Sequence, residues 1–316
     1  VGYDLMFGGG SYDHGQLKAG IAADADKLQT QPDTQLPESP TLSLSAPAGL
    51  GQDFLDQRLG ENAIGPQLLY DPQQYWIGTA LSSFGIVYNK DLVRELGVGT
   101  PDGFDSLESF GYYGWLALAD PRKSGSITTT FDSILGSMGW EQGFRLLRAM
   151  SGNARYFTDS STKPPLDVAA GEAAAGLAID FYGRGQAQAT RGDRVGYIEP
   201  KGSVYVDADP VSLLNGAPNP ELARRFITFS LSDEAQLLWQ LPPTGTNADD
   251  DTPGPRTDAL RRLPIVRGVY DTHGQQFLDA GVDPFELVSD VENPGWRTGI
   301  QKMMGAFGID AASECT

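Results

Sequence analysis

Three short stretches of this sequence carry groups suited to holding a ligand. The first is Asp180-Phe181-Tyr182-Gly183, which sets a carboxylate and a phenol two residues apart. The second is Ser124-Gly125-Ser126, directly ahead of a segment that reads as a helix. The first turn of a helix has N–H groups without intrahelical acceptors, and such an end attracts an anion or an acceptor oxygen. Serine at that place also serves as a plain N-cap. The third is Gly8-Gly9-Gly10, whose backbone can approach a ligand closely or take positive φ. These glycines do not form a dinucleotide fingerprint, because the third glycine of GxGxxG would fall at Asp13. They do not form a P-loop either, since no Gly-Lys-Ser/Thr follows.

The elements that must position these groups can be read from apolar spacing. Residues from Leu166 on read as a helix with Val168, Ala169 and Ala173 on one face, turning near Gly171-Glu172. Ala174–Ile179 is a short apolar run with Gly176 inside it, which suits a strand buried on both faces. Asp180–Gly183 then reads as an exposed polar tip at the carboxyl end of that strand, where open α/β sheets bind ligands. Tyr3–Phe7 is a strand running into the glycines, and Tyr12–Lys18 starts a helix. Tyr75–Asn89 reads as two strands, Trp76–Gly78 and Gly85–Tyr88, around a polar tip at Thr79–Ser83. Leu116–Ala119 is a buried strand, and Trp140–Met150 is an amphipathic helix. Val195–Ile198, Ser203–Val206 and Val211–Leu214 read as strands, with Asp207–Pro210 as an acidic turn between the last two. Pro220 opens a helix through Leu231, and Ser232 caps the next one. Ala25–Ala48 and Thr244–Pro255 are polar loops.

Composition removes several classes of function. A chain of 316 residues exceeds one ordinary core, so two domains are expected. No apolar run approaches the roughly 20 residues of a membrane span. A net charge of −18 argues against nucleic acid or an anionic membrane as partner. The single cysteine, Cys315, allows no internal disulfide. Two histidines, His14 and His273, supply neither a His-rich zinc site nor an ordinary Ser-His-Asp triad, and each reads as core or solvated. Asp180 and Glu199 are the pair an enzyme would use as acid and base, but no nucleophile–base constellation accompanies them, so the chain reads as a non-enzyme. Asp249-Asp250-Asp251 lacks the glycine and terminal glutamate of a calcium loop and reads as solvated. The chain opens without Met, inside a strand-and-loop unit, so residues are expected to be missing at both ends, and the absence of a signal segment carries no weight.

Five blocks, YDLMFGGG, GTALSSFGIVYNKDLVRELG, LADPRKSGS, GEAAAGLAIDFYG and YVDADPVSLLNGAPNPELARRFITFSLSDEAQLLW, occur in the order seen in extracellular solute-binding proteins. Over roughly residues 1–240 the chain resembles these periplasmic receptors of ABC importers. It looks most like the ferric-iron-binding branch, which also holds phosphonate and sugar-phosphate binders. The resemblance implies an α/β, two-lobed periplasmic-binding-protein fold of type II, its lobes joined by two crossing strands and closing by a hinge. Residues 1–87 with 204–240 would form one lobe, its N-terminal part incomplete, and 88–203 the other. Residues 241–316 would pack on the lobes as a C-terminal helical segment.

The resemblance also implies a cleft. Gly9, Gly10, Tyr12, Ser82 and Ser83 would line one wall. Ser124, Gly125, Ser126, Asp180 and Tyr182 would line the other, with Asp207 and Asp209 near the hinge. Iron-binding members present two adjacent tyrosines where this chain has Phe181 and Tyr182, so one phenol remains. If Fe(III) is the cargo, Asp180 and Tyr182 are its expected ligands, with Tyr12 and a bound anion completing an oxygen-rich set. The alternative cargo is a phosphorylated or phosphonate solute without metal, held by Ser124–Ser126 and Gly8–Gly10 with help from Arg184 or Arg155. No cofactor is required beyond the cargo. The implied partner is an ABC permease, the implied state a monomer, and the implied location periplasmic, free or lipid-anchored.

Overall fold

The computed structural model describes residues 2–22, 41–246 and 252–311. The Asp249–Asp251 run, Cys315 and much of the Ala25–Ala48 loop lie outside the described residues. In chain order the strands are β1 (Leu5–Phe7), β2 (Ile21–Ala22), β3 (Thr41–Leu42), β4 (Ser45–Ala46), β5 (Ile77–Asn89) and β6 (Leu116–Ala119). They continue with β7 (Ala154–Thr158), β8 (Ala175–Ile179), β9 (Val195–Ile198), β10 (Val206–Leu214) and β11 (Leu263–Pro264). The helices are α1 (Ser11–Ala19), α2 (Gln52–Leu59), α3 (Lys90–Glu95), α4 (Gly125–Met138), α5 (Trp140–Asn153) and α6 (Lys163–Ala170). Then come α7 (Asp180–Ala189), α8 (Pro220–Ser230), α9 (Asp233–Leu237), α10 (Gly268–His273), α11 (Pro284–Leu287) and α12 (Arg297–Met303).

Strand β5 organises the whole. All of its residues are buried. Its first half pairs antiparallel with β10, from Ile77 to Ser83. Its second half pairs antiparallel with β8 and β9, from Phe84 to Asn89. One strand therefore serves both lobes, and the expected tip at Thr79–Ser83 is not a tip. Those hydroxyls are buried and satisfied: Thr79 Oγ1 donates to Asp209 O at 2.9 Å and Ser82 Oγ to Asp209 Oδ2 at 2.5 Å. The same correction applies to Asp207–Pro210, which lies inside β10 rather than in a turn. A register shift between Asp209 and Pro210 accommodates the proline within the ladder.

Beyond β10 the sheet continues through β1, with β4 also paired to β10. Beyond β8 it continues through parallel β6 and β7, connected by helices. Helix α6 begins at Lys163, ahead of the expected Leu166, with Pro164 and Pro165 in its first turn, and it ends at Gly171 in the left-handed conformation, which leaves Ala173 outside the expected helical face. Helix α7 starts directly on β8. The expected exposed tip at Asp180–Gly183 is thus the first turn of a helix, and Asp180 is fully buried.

Two cores form around the two halves of β5. Ile77 and Leu81 pack with Leu55, Leu69, Val206, Ile227 and Ile265 in the first lobe. Ile86 packs with Leu118, Phe131, Leu147, Leu177 and Ile300 in the second. Phe84, Ile179, Tyr205 and Val291 fill the waist between them. The C-terminal segment contributes to both cores, Leu263, Ile265 and Phe277 to the first and Ile300 and Met304 to the second. The chain therefore crosses the waist a third time, near residues 288–296. There Ser289 N donates to Val204 O at 2.9 Å and Val204 N to Ser289 Oγ at 3.1 Å.

Gln236 on α9 ties the first lobe together. Its Nε2 donates to Thr79 O at 2.8 Å and Ser230 O at 2.6 Å, and its Oε1 accepts from Ile265 N at 2.8 Å and Val266 N at 3.3 Å. Replacing it by leucine strands buried backbone groups on β5 and beside β11. Gln236→Leu is expected to cost about 2–4 kcal/mol, measured as a lower urea midpoint with the slope unchanged.

Candidate functional site

A cavity of about 250 Å³ lies between the lobes. Of the residues expected in the cleft, Gly9, Gly10, Tyr12, Ser82 and Asp207 line it from the first lobe. Gly125, Ser126 and Tyr182 line it from the second. A larger groove of about 1040 Å³, between Phe110 and Phe144 on the outer face of the second lobe, holds none of them.

The first wall begins with the turn after β1. Gly8 and Gly9 take φ of 84° and 91°, a region that a side chain disfavours. Buried His14 holds this turn: its Nε2 donates to Gly8 O at 2.9 Å, and its Nδ1 accepts from Ser212 Oγ at 2.6 Å. A carbonyl can only accept, which fixes the tautomer. Burial lowers the His14 pKa and favours the neutral ring, and of the two environments the sequence left open, core or solvated, His14 has the core one. Ser11 N donates to Asp207 Oδ2 at 3.3 Å. Asp209 accepts from Ser82 and is ion-paired with Arg262, which also lines the cavity.

The second wall begins at the start of α4. Ser124 Oγ accepts from Ile127 N, so Ser124 is the N-cap and does not line the cavity. Gly125 and Ser126 do, at the first turn, where amides have no intrahelical acceptor. Arg297, at the first position of α12, lies against this turn. Its Nη1 donates to Thr129 Oγ1 at 2.6 Å and its Nη2 to Gly125 O at 3.1 Å. Its Nε is buried without an acceptor. Among the described residues Arg297 makes no ion pair with a carboxylate, although only 6% of its surface is exposed.

Four further expected contributors lie elsewhere. Successive side chains of a strand point to opposite faces. Ser82 therefore faces the cavity, while Ser83 donates to Glu199 Oε1 at 2.6 Å on the far side. Asp180 belongs to that far side too. Its Oδ2 accepts from Arg184 Nη1 at 3.1 Å and its Oδ1 from Phe181 N at 2.8 Å. Arg184 also pairs with Glu199. This buried network removes Asp180 from the cavity and from the metal-ligand set, and it leaves Arg184 unable to reach a ligand. Arg155 sits at the surface with Glu172.

What the sequence reading missed is the pair Arg262 and Arg297. Both lie beyond the blocks that carry the resemblance. Arg262 follows Arg261, and Arg297 follows Trp296 at a helix start, in a chain where Lys and Arg number 23 against 41 acidic residues. In so acidic a chain, arginines beside apolar residues were the available signal. Among the described residues no cluster of three or more His, Cys, Asp or Glu is arranged to hold a metal. The phenols of Tyr12 and Tyr182 both line the cavity.

Burial, reinforced by the neighbouring Asp209, raises the Asp207 carboxyl from 3.8 to about 6. The folded state thus binds this proton more tightly than the unfolded chain does. Asp207 therefore reduces stability progressively as pH rises from about 4 to about 6, with no further change above. Asp180, raised to about 7 by burial against the pull of Arg184, adds a slope of the same sign. Asp207→Asn keeps an acceptor for Ser11 N and removes the first slope. It is expected to stabilise the protein by about 1–3 kcal/mol at pH near 7.5 and hardly at pH near 4, read from thermal midpoints at the two pH values.

Residues 54–262 match the family model of the bacterial extracellular solute-binding proteins. The chain is 25% identical over 169 residues to the phosphoglycerate transport regulatory protein PgtC of Salmonella typhimurium, which covers 54% of this chain and 42% of that protein. The chain spans less than half the length of the curated relatives it matches. The periplasmic binding protein AfuA from Actinobacillus pleuropneumoniae, solved with fructose-6-phosphate, superposes with a TM-score of 0.56 at 20% identity, over 74% of this chain and 65% of that one. The IdiA (FutA) protein of Trichodesmium, solved with iron and citrate, superposes with a TM-score of 0.55 at 17% identity, over 84% and 77%. At these identities the likeness speaks for a shared fold of two lobes. With the family model spanning both halves of β5 and well over half of the sequence, the chain belongs to the bacterial extracellular solute-binding proteins.

Proposed function

We propose that this chain is the substrate-binding component of an ABC importer, and that its cavity captures a small organic anion bearing a phosphate or phosphonate group. The observation that carries this reading is Arg297, a buried guanidinium with only uncharged oxygens as partners. The buried Asp132 carboxylate acts on Arg297 through space without bonding to it, and an anionic ligand supplies the directly bonded counter-charge that Arg297 lacks. The first turn of α4 adds amides and the Ser126 hydroxyl at the same place, a combination suited to the oxygens of a phosphate. The Gly8–Gly10 turn, pinned by His14, faces it from the other lobe.

The lobes in this reading are residues 1–87 with 204–240, joined by 263–277, and residues 88–203, joined by 297–304. They close as a clamp, and a permease reads the closed form on the outer side of the membrane. The protein acts as a monomer and releases its solute unchanged. The family and its structural neighbours are binding proteins, which supports this.

One observation favours a second cargo. Tyr12 and Tyr182 line the same cavity as Asp207, and two phenolates with a carboxylate and an anion on α4 form an oxygen-rich set for Fe(III). Calorimetric titration with fructose-6-phosphate and 3-phosphoglycerate, alongside ferric citrate followed in the visible spectrum, separates the two. The phosphate ester is expected to bind, and Arg297→Met to weaken it by roughly 30-fold or more. A charge-transfer band that Tyr182→Phe abolishes would establish the iron receptor instead. Silence from every probe, with folded protein, would overturn both.

A further inference from the structure

Two arginine–aromatic contacts span the cavity in opposite senses. Arg297 is anchored in the second lobe by Thr129 and Gly125 of α4, and α12 sends Ile300 into the second core. Its guanidinium lies 4.2 Å from the ring centre of Tyr12, on α1 of the first lobe. Arg262 is anchored in the first lobe by Asp209 of β10 and leads directly into β11, which pairs with β5. Its guanidinium lies 4.5 Å from the ring centre of Phe181, on α7 of the second lobe. Each cation is held by polar bonds on its own lobe and by the face of a ring on the other.

We propose that these contacts form a reciprocal clasp, in which Tyr12 and Phe181 are positioning residues that hold Arg297 and Arg262 across the gap. Both contacts join protein groups, so they favour the closed arrangement with or without solute. Opening the lobes leaves every hydrogen bond of the two arginines intact and removes only the ring contacts. The clasp is therefore reversible at low cost. Stacking occupies the face of a guanidinium and leaves its edge available. On Arg297 that edge donates through Nη1 and Nη2, while Nε is buried without an acceptor. The hydrogen bonds to Thr129 and Gly125 orient Arg297 in either arrangement, and closing adds the Tyr12 ring against its face. Because the anchors alternate between lobes, sliding one lobe past the other breaks both contacts, and the clasp resists shear as well as opening. This clasp rests on the clamp reading given above and is independent of the solute's identity.

The test measures an interlobe distance with spin labels at Glu234→Cys and Glu141→Cys, both exposed, in a Cys315→Ser background. Without solute, Tyr12→Leu with Phe181→Leu is expected to raise the ratio of open to closed molecules on the order of tenfold. Tyr12→Phe keeps the ring face and is expected to restore the closed fraction relative to Tyr12→Leu. For any phosphate ester that binds, the double variant raises the dissociation rate by a similar factor. Tyr12 is 41% exposed, so Tyr12→Leu alone serves if the double variant does not fold. An unchanged distance distribution in the leucine variants overturns the clasp. So does Tyr12→Phe opening the lobes as far as Tyr12→Leu, since the phenol and not the ring would then be the contact. Because the distances are read without solute, failure of the clasp is distinguishable from failure of anion binding.

Discussion

Everything in this molecule depends on the backbone ladder of β5. A buried strand cannot leave its N–H and C=O groups unpaired. β5 meets this by pairing on both sides along its length, with β10 and β11 in the first lobe and β8 and β9 in the second. The partners change between Ser83 and Phe84, so that step is where the lobes can bend without breaking a ladder. The alternation of side chains fixes what each face sees there. Ser82 looks into the cavity, Ser83 looks at the buried Arg184 network, and Phe84 fills the waist. A slip of one residue would exchange these environments, so the polar pairs pin the register as firmly as the apolar ones.

The charges around the waist divide into satisfied and unsatisfied. Arg184 is shared by Asp180 and Glu199, and Arg262 by Asp209. These pairs hold structure, and they place Phe181 and Tyr182 at the cavity by fixing the first turn of α7. Of these three arginines, Arg297 is the one with no carboxylate bonded to it, and the buried Asp132 acts on it only through space. In a chain with a net charge of −18, one buried cation aimed at a helix start concentrates the local attraction for an anion where the overall field opposes it.

Much of this arrangement was legible in the sequence, and the failures share one cause. The strands at Leu116–Ala119 and Val195–Ile198 and the caps at Ser124 and Ser232 follow from local signals that act within a few residues. Thr79–Ser83 and Asp207–Pro210 read as turns because polar residues usually mean solvent. Here their hydroxyls and carboxylates satisfy one another inside the sheet, and only the partner strand, more than a hundred residues away, makes that visible. Asp180 read as a ligand because its strand was placed correctly while its face was not. Arg262 and Arg297 escaped notice because nothing periodic surrounds them. Their meaning comes from Tyr12 and Phe181, which are distant in sequence.

The third crossing of the waist has a consequence for how the protein is made. A chain is synthesised from its N-terminus, and domains close as their residues emerge. The first core waits for Leu263, Ile265 and Phe277, and the second for Ile300 and Met304. Neither lobe can finish before the other has begun, so the lobes mature together rather than in turn. Arg297, the proposed anion anchor, arrives with the segment that seals the second lobe. Under the proposed function an unfinished chain displays the glycine turn and the start of α4 without Arg297, and the capacity to bind becomes a marker of completed folding.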